Sequence, residues 1–309
     1  MKKKLISVVV PVYRNEGTLY KTYISLISVL RELLSRYAYE IIFINDGSDD
    51  NSLNELLKIK KVDRNVTVID FVRNFGQQSA ILAGFQHAKG NLLIHISADL
   101  QDPPDLITKM IEKWNKGYKV VACARIDRED DFISKITSKI FYSLIKVAVP
   151  KMPAGGFDYF LVDNEVYKRV LSFDERNSFI QGDLLWLGYE PYFIKYKRLK
   201  RVIGKSQWNF TKKIKYFIDG FINTSYLPIR IMSFIGVMTS FLGFIYALVV
   251  LFARLFNDIP FQGYAPIMIV LLIASGLIMM MLGVIGEYLW RIYDEIRKRP
   301  QYLIKKLYL

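Results

Sequence analysis

Two stretches without a single charged residue, Ile231 to Ala253 and Ile259 to Gly286, constrain this chain more than any other feature. At about 1.5 Å per residue, roughly 20 apolar residues cross the hydrocarbon core of a bilayer, and both stretches exceed that length. The chain of 309 residues is therefore predicted to divide into a soluble domain over 1–208 and a membrane part. An amphipathic interfacial region is expected over 209–229, because WNFTKKIKYFIDGFINTSYLPIR mixes Phe, Ile and Tyr with Lys at helical spacing. Two spans joined by a short loop follow over 230–290, then a basic tail over 291–309.

Charge gives the expected orientation. Lys195, Lys197, Arg198, Lys200, Arg201, Lys205, Lys212, Lys213, Lys215 and Arg230 precede the first span, and Arg291, Arg297, Lys298, Arg299, Lys305 and Lys306 follow the second. The connecting RLFNDIPFQGY has Arg254 as its only basic residue. By the positive-inside rule both termini and the soluble domain face the cytoplasm. The formal net charge of +14 is thereby read as a membrane signal, and no nucleic-acid partner is expected because no recognised module accompanies it. The N-terminal MKKKLISVVVPVY is broken by Pro11 and lacks a cleavage site, so it reads as a buried first strand and not a signal peptide. A single cysteine, Cys123, excludes an intrachain disulfide and fits a reducing compartment.

From Ile6 to Arg125 short apolar runs alternate with segments of helical period. ISVVVPV, EIIFIN, TVIDFV, NLLIHIS and KVVACA are separated by four helical stretches. Such β-branched runs indicate a parallel sheet covered on both faces, an α/β doubly wound fold. Ligands of these sheets bind beyond the carboxyl ends of the strands. The residues there are Tyr13 to Glu16, Asp46 to Ser48, Arg73 to Gly76 and Ser97 to Asp102. Neither GxGxxG after the first strand nor GxxxxGK[ST] occurs, so a bound nucleotide needs another means of neutralising its phosphates. A divalent cation on carboxylates supplies one.

The set PVYRNE, NDGSDDNS, RNFGQQSAILAGF, ADLQDPP, FDYFLVD, ERNSFIQGDLLWLGY, RVIGKSQW and GEYLWRIYDEIRKRPQYLI resembles, in order and over nearly the whole chain, the family 2 glycosyltransferases of GT-A fold. With its two C-terminal spans it is similar to the polyprenyl-phosphate glycosyltransferases, relatives of dolichol-phosphate mannose synthase. The resemblance implies transfer of a sugar from a nucleotide sugar, usually a UDP-sugar, to undecaprenyl phosphate with inversion, in a bacterial inner membrane. It assigns Pro11, Tyr13, Glu16, Asp46, Asn74, Gly76 and Asp99 to the nucleotide sugar, and Asp99 with Gln101 to Mg²⁺ or Mn²⁺. Asp158 matches the acidic residue proposed as catalytic, with Asp99 beside it. Arg125, Arg128, Lys135, Ser138 and Arg201 match the region that grips the acceptor phosphate.

One position departs from the family pattern DADLQ: Ser97 stands where the first Asp belongs. A relative that has lost its metal and serves as a membrane scaffold is one alternative reading, and a saccharide-elongating family 2 transferase is another. Asp102, just before Pro103-Pro104, is expected to cap the following helix. His87 and His95 are expected in the core, Met279 to Met281 in lipid or packing contacts, and Glu287 with Arg291 as a helical pair. Two spans give a small intramembrane core, which leaves room for association between copies.

Overall fold

The computed structural model describes residues 3–125, 149–153, 156–173, 179–199, 227–257 and 264–309, with Lys146 and Glu175. Its compact units are residues 1–223 with 300–309, and residues 224–299. The first unit is an eight-stranded sheet: β1 (Lys4–Val12), β2 (Tyr37–Asn45), β3 (Val66–Phe71), β4 (Leu92–His95), β5 (Val120–Arg125), β6 (Tyr159–Asp163), β7 (Pro191–Tyr196) and β8 (Ile304–Tyr308). Spatial order is β7-β5-β6-β4-β1-β2-β3-β8.

Strand period places the core on both faces. Ile6, Val8, Val10 and Val12 of β1, with Ile41 and Phe43 of β2, enter one cluster, whereas Val9, Ile42 and Ile44 between them enter the other. The first cluster is covered by α1 (Leu19–Glu32), α2 (Ser52–Val62) and α4 (Leu106–Asn115) through Leu26, Leu56 and Met110. The second is covered by α3 (Gln77–His87), α5 (Asn164–Leu171) and α6 (Ile180–Trp186) through Ile81, Val166 and Leu184. Helix α3 lies so close to β1 that a Cβ on Gly84 would sit 2.2 Å from a Val9 methyl.

The five strands expected from the apolar runs all form, but the sheet is mixed. β1, β2, β3 and β4 pair in parallel, and β5 pairs in parallel with β7. Antiparallel β6 is inserted between β4 and β5, with His95 opposite Phe160 and Cys123 opposite Tyr159. Antiparallel insertion brings the start of β6 to the edge where parallel strands end. The tail expected after residue 291 is also more than a basic extension. Residues 304–308 form β8, antiparallel to β3, and Tyr302 stacks on Phe71 with ring centroids 5.0 Å apart.

The second unit consists of α7 (Leu227–Asn257) and α8 (Tyr264–Ile296), with apolar windows at Ile229–Tyr246 and Ile273–Ile296. Their large apolar side chains are exposed, Phe234 at 66% and Met279 at 68%. That is what lipid and not water would favour. Helix α8 runs on past the expected end of its span, and there Arg291 Nη2 donates to Glu287 Oε1 at 3.1 Å, the expected helical pair. Most of the interfacial region over 209–229 and the connecting loop at 258–263 lie outside the described residues.

Candidate active site

Because parallel strands end together, the residues after β1, β2, β3, β4, β5 and β7, and the residue before β6, meet at one edge. The β1 loop is tied to the β2 loop. Arg14, at a positive φ of 52°, donates two bonds of 2.6 Å to Asp49, and Asn15 N donates to Ser52 Oγ at 2.9 Å. Pro11 is the penultimate residue of β1, Tyr13 packs under the Arg14 guanidinium, and Glu16 is exposed, accepting from Asn51 N at 3.3 Å. These three stand together at one side of the edge.

Asp46 is buried, and both of its carboxylate oxygens are engaged. They accept from Phe75 N at 2.7 Å and Gly76 N at 3.0 Å. In this arrangement Asp46 holds the β3 loop, which carries Asn74 on the surface. Burial pushes its carboxyl up to about 6, against the opposing effect of those two N–H donors. Neighbouring Gly47, at φ +61°, lets the backbones cross, since a Cβ there would lie 2.2 Å from the Arg73 carbonyl carbon.

After β4 the SADLQD segment turns through Leu100 at φ 59°, a left-handed backbone that brings Asp99 and Asp102 to the same serine. Ser97 Oγ lies 2.9 Å from Asp99 Oδ1 and 2.6 Å from Asp102 Oδ2. Its one proton serves one carboxylate at a time. Gln101 N donates to Asp99 Oδ1 at 3.3 Å, and Gln101 Nε2 donates to Leu199 O at 3.1 Å. Asp99 and Gln101, expected together on a metal, are thus side by side.

Asp102 is not the cap of α4. The helix begins at Leu106, its N-cap position is Asp105, and the buried Asp102 carboxylate turns inward to accept from Ser97 and from Tyr196 Oη at 2.5 Å. The reason is non-local: β7 delivers Tyr196 and Arg198 to this edge, and their hydrogen bond and positive charge outweigh exposed helix N–H groups. Arg198 Nη2 is 3.7 Å from Asp99 Oδ2, and its Nε is 3.6 Å from Asp102 Oδ1.

Asp158 and Arg125 come together. The buried Arg125 guanidinium donates to Asp158 Oδ2, and Gln181 Nε2 donates to Asp158 Oδ1 at 2.9 Å. Burial would raise the Asp158 carboxyl, but Arg125 and then Arg198 overcome it and hold it below the ordinary aspartate range. His95 is a core residue, as expected, stacked on Phe160 with Nδ1 bonded to the Asp158 carbonyl; burial pushes its pKa down and keeps it neutral. Arg128, Lys135, Ser138 and Arg201 lie outside the described residues, so Arg125 alone represents the expected acceptor group.

Gln181, Tyr196, Arg198 and Asp102 are the residues that the sequence reading did not assign to the site. The alternating PYFIKY ahead of Arg198 was the available signal, for a strand there ends at this edge. Among the described residues, no three His, Cys, Asp or Glu side chains converge as a metal cage. The oxygen set of Asp99, Asp102, Ser97 and Gln101 is what the edge offers.

The sequence profile of glycosyl transferase family 2 matches residues 7–171. The uncharacterized glycosyltransferase YkcC of Bacillus subtilis is 39% identical over 98% of this chain and 94% of its own length. The SfII prophage-derived bactoprenol glucosyl transferase of Shigella flexneri is 36% identical over 97% of both chains. A mannosyltransferase from Pyrobaculum calidifontis, solved in complex with GDP-Man and Mn²⁺, is 14% identical and covers 72% of this chain and 64% of its own, with a TM-score of 0.49. The profile runs from β1 through α5, the segment that carries Asp46, Asp99, Arg125 and Asp158, and the chain belongs to glycosyl transferase family 2, as a glycosyltransferase of GT-A fold.

Proposed function

We propose that this enzyme moves a sugar from a nucleotide sugar, a UDP-sugar by the family pattern, to undecaprenyl phosphate on the cytoplasmic face of a bacterial inner membrane. The observation that carries the acceptor is the full-length likeness to a bactoprenol glucosyl transferase, which includes both apolar helices. That residues 300–309 rejoin the sheet supports a path in which the chain enters and leaves the membrane on one side. The lysines and arginines flanking α7 and α8 support the cytoplasm as that side, by the positive-inside rule.

In the reaction, an acceptor phosphate oxygen forms a bond to the anomeric carbon as the bond from that carbon to the nucleoside diphosphate breaks. A single displacement inverts the centre, and the nucleoside diphosphate leaves with the electron pair. A phosphate monoester has its second pKa near about 6, so the acceptor needs little help in losing a proton. Asp158 fits an orienting role: it is ionised, and its oxygens are already taken by Arg125 and Gln181. Arg125 offers the fork that suits an acceptor phosphate. Asp99 and Gln101, with Ser97 and Asp102, form an all-oxygen donor set that suits Mg²⁺ or Mn²⁺. A cation there would supply Lewis-acid neutralisation of the leaving diphosphate. Asp46 orders the β3 loop against which the nucleotide would lie.

The test is purified full-length protein with undecaprenyl phosphate, Mg²⁺ or Mn²⁺ and a panel of UDP-sugars, read by the mass of the lipid product. One donor should give a sugar-phosphate lipid, and Asp99→Asn should abolish it. Folded protein that yields no lipid-linked product with any donor refutes the reading.

A further inference from the structure

Arg198 differs from the other arginines of this edge. Arg14 grips Asp49 with two bonds of 2.6 Å, and Arg125 is hydrogen-bonded to Asp158. Arg198 lies 3.6 Å from Asp102 and 3.7 Å from Asp99, beyond the ~2.7–2.9 Å of a charge-assisted hydrogen bond, and its charge also acts on Asp158. Its Nε, like that of Arg125, is buried without a hydrogen-bond partner, so the difference lies in the carboxylate distances. The charge neutralises Asp99 and Asp102 without being fastened to either. Its backbone, in contrast, is held beside the SADLQD turn, because Leu199 N donates to Gln101 O at 2.9 Å and Gln101 Nε2 returns a bond to Leu199 O. These bonds hold the backbone beside the turn and leave the guanidinium outside hydrogen-bond distance of both carboxylates.

The geometry points to Arg198 as a resident counter-cation, which occupies the Asp99–Asp102 carboxylates when no divalent cation is bound and gives them up when one enters. The inference rests on the cation reading above and adds a competitor to it. Asp99 Oδ1 is already engaged by Ser97 and Gln101 N, while Oδ2 is the oxygen turned to Arg198. A cation approaching Oδ2 therefore meets the guanidinium. With Ser97 in place of a third carboxylate, Arg198 offsets part of the negative charge before loading. Binding then carries the cost of moving a positive charge aside.

The experiment is Mn²⁺ binding to the full chain in detergent, without nucleotide, followed by the electron paramagnetic resonance of free Mn²⁺. Removing a unit charge at about 4 Å is worth roughly five-fold even with bulk-water screening. R198Q should bind Mn²⁺ at least about five-fold tighter than wild type, and R198K, which keeps the charge, should stay close to wild type. D99N should weaken binding in either background. In EDTA, R198Q should melt below wild type, with the gap closing at saturating Mn²⁺. R198Q binding no tighter than wild type, with D99N still weakening both, overturns the competition and leaves the cation reading standing. No Mn²⁺ binding by wild type, R198Q or R198K overturns both.

Discussion

Ser97→Asp restores the family's acidic pattern and tests whether the serine is a structural adaptation. The hydroxyl it replaces lies 2.9 Å from Asp99 Oδ1 and 2.6 Å from Asp102 Oδ2. At an effective dielectric constant of about 20, two like charges 4 Å apart repel by about 4 kcal/mol, so two such neighbours would give about 8. The protein need not bear all of this, because one carboxyl can take up a proton. At pH 7.5 that costs about 5 kcal/mol for a group with an ordinary aspartate pKa, which bounds the loss. Arg198 offsets part of it, and a net loss of about 2–4 kcal/mol is expected in EDTA. Thermal melting followed by tryptophan fluorescence is the assay, run with EDTA and with Mn²⁺, at pH 7.5 and pH 6. In EDTA the variant should melt well below wild type at pH 7.5 and recover much of the difference at pH 6, since protonation becomes cheaper by about 1.4 kcal/mol per unit. Mn²⁺ should raise its melting temperature more than that of wild type, and turnover should be kept. A variant that melts with wild type in EDTA at both pH values, or gains no more from Mn²⁺, would show that the three side chains do not share a charged site.

Asp158→Asn removes the charge opposite Arg125, whose side chain is only 7% exposed, and sets an amide against Gln181. With Asp158 itself partly exposed, the cost is about 2 kcal/mol, and turnover should collapse while nucleotide-sugar binding by calorimetry persists; equal loss of binding contradicts an orienting role. Asp46 has its folded pKa raised by burial to about 6, so its cost to stability is absent below about pH 4, grows through 4 to 6 and is full, about 3 kcal/mol, above that. Asp46→Asn lacks this dependence, and wild type should therefore gain about 2 kcal/mol relative to the variant between pH 7 and pH 4.5; parallel pH profiles in denaturant melts would contradict it. Tyr302→Ala removes the ring stacked on Phe71 and should cost about 2 kcal/mol, with hydrogen exchange rising first in β3 and β8; unchanged exchange there contradicts a role for this stacking in holding β8 to β3.

Strands β1 to β5 were legible because each is buried on both faces and so reads as an uninterrupted apolar run. Strand β7 was not, since Tyr192, Phe193, Ile194 and Lys195 are only partly buried or exposed at the sheet's margin and the pattern is weak. Strands β6 and β8 were not read as strands either, but the omission of β7 is what hid Tyr196 and Arg198, and with them the reason Asp102 turns inward. A cap can be argued from four neighbouring residues, whereas a buried carboxylate with partners from a distant strand cannot. Asp99, Arg125 and Asp158 were found through resemblance, and contacts that only folding creates explain why Asp158 needs Gln181.

Strand β8 follows both apolar helices in the chain, yet it covers the outer edge of β3. Translation delivers Asp46, Asp99, Arg125 and Asp158 long before that edge is closed. A nascent chain thus holds its chemistry in a sheet whose margin still presents unpaired N–H and C=O groups, a template for faulty pairing. β3 gains its outer partner only after α7 and α8 have been made. Completion of the sheet then reports that the membrane part has been synthesised, and a chain cut short between β7 and β8 would reveal itself by an open strand.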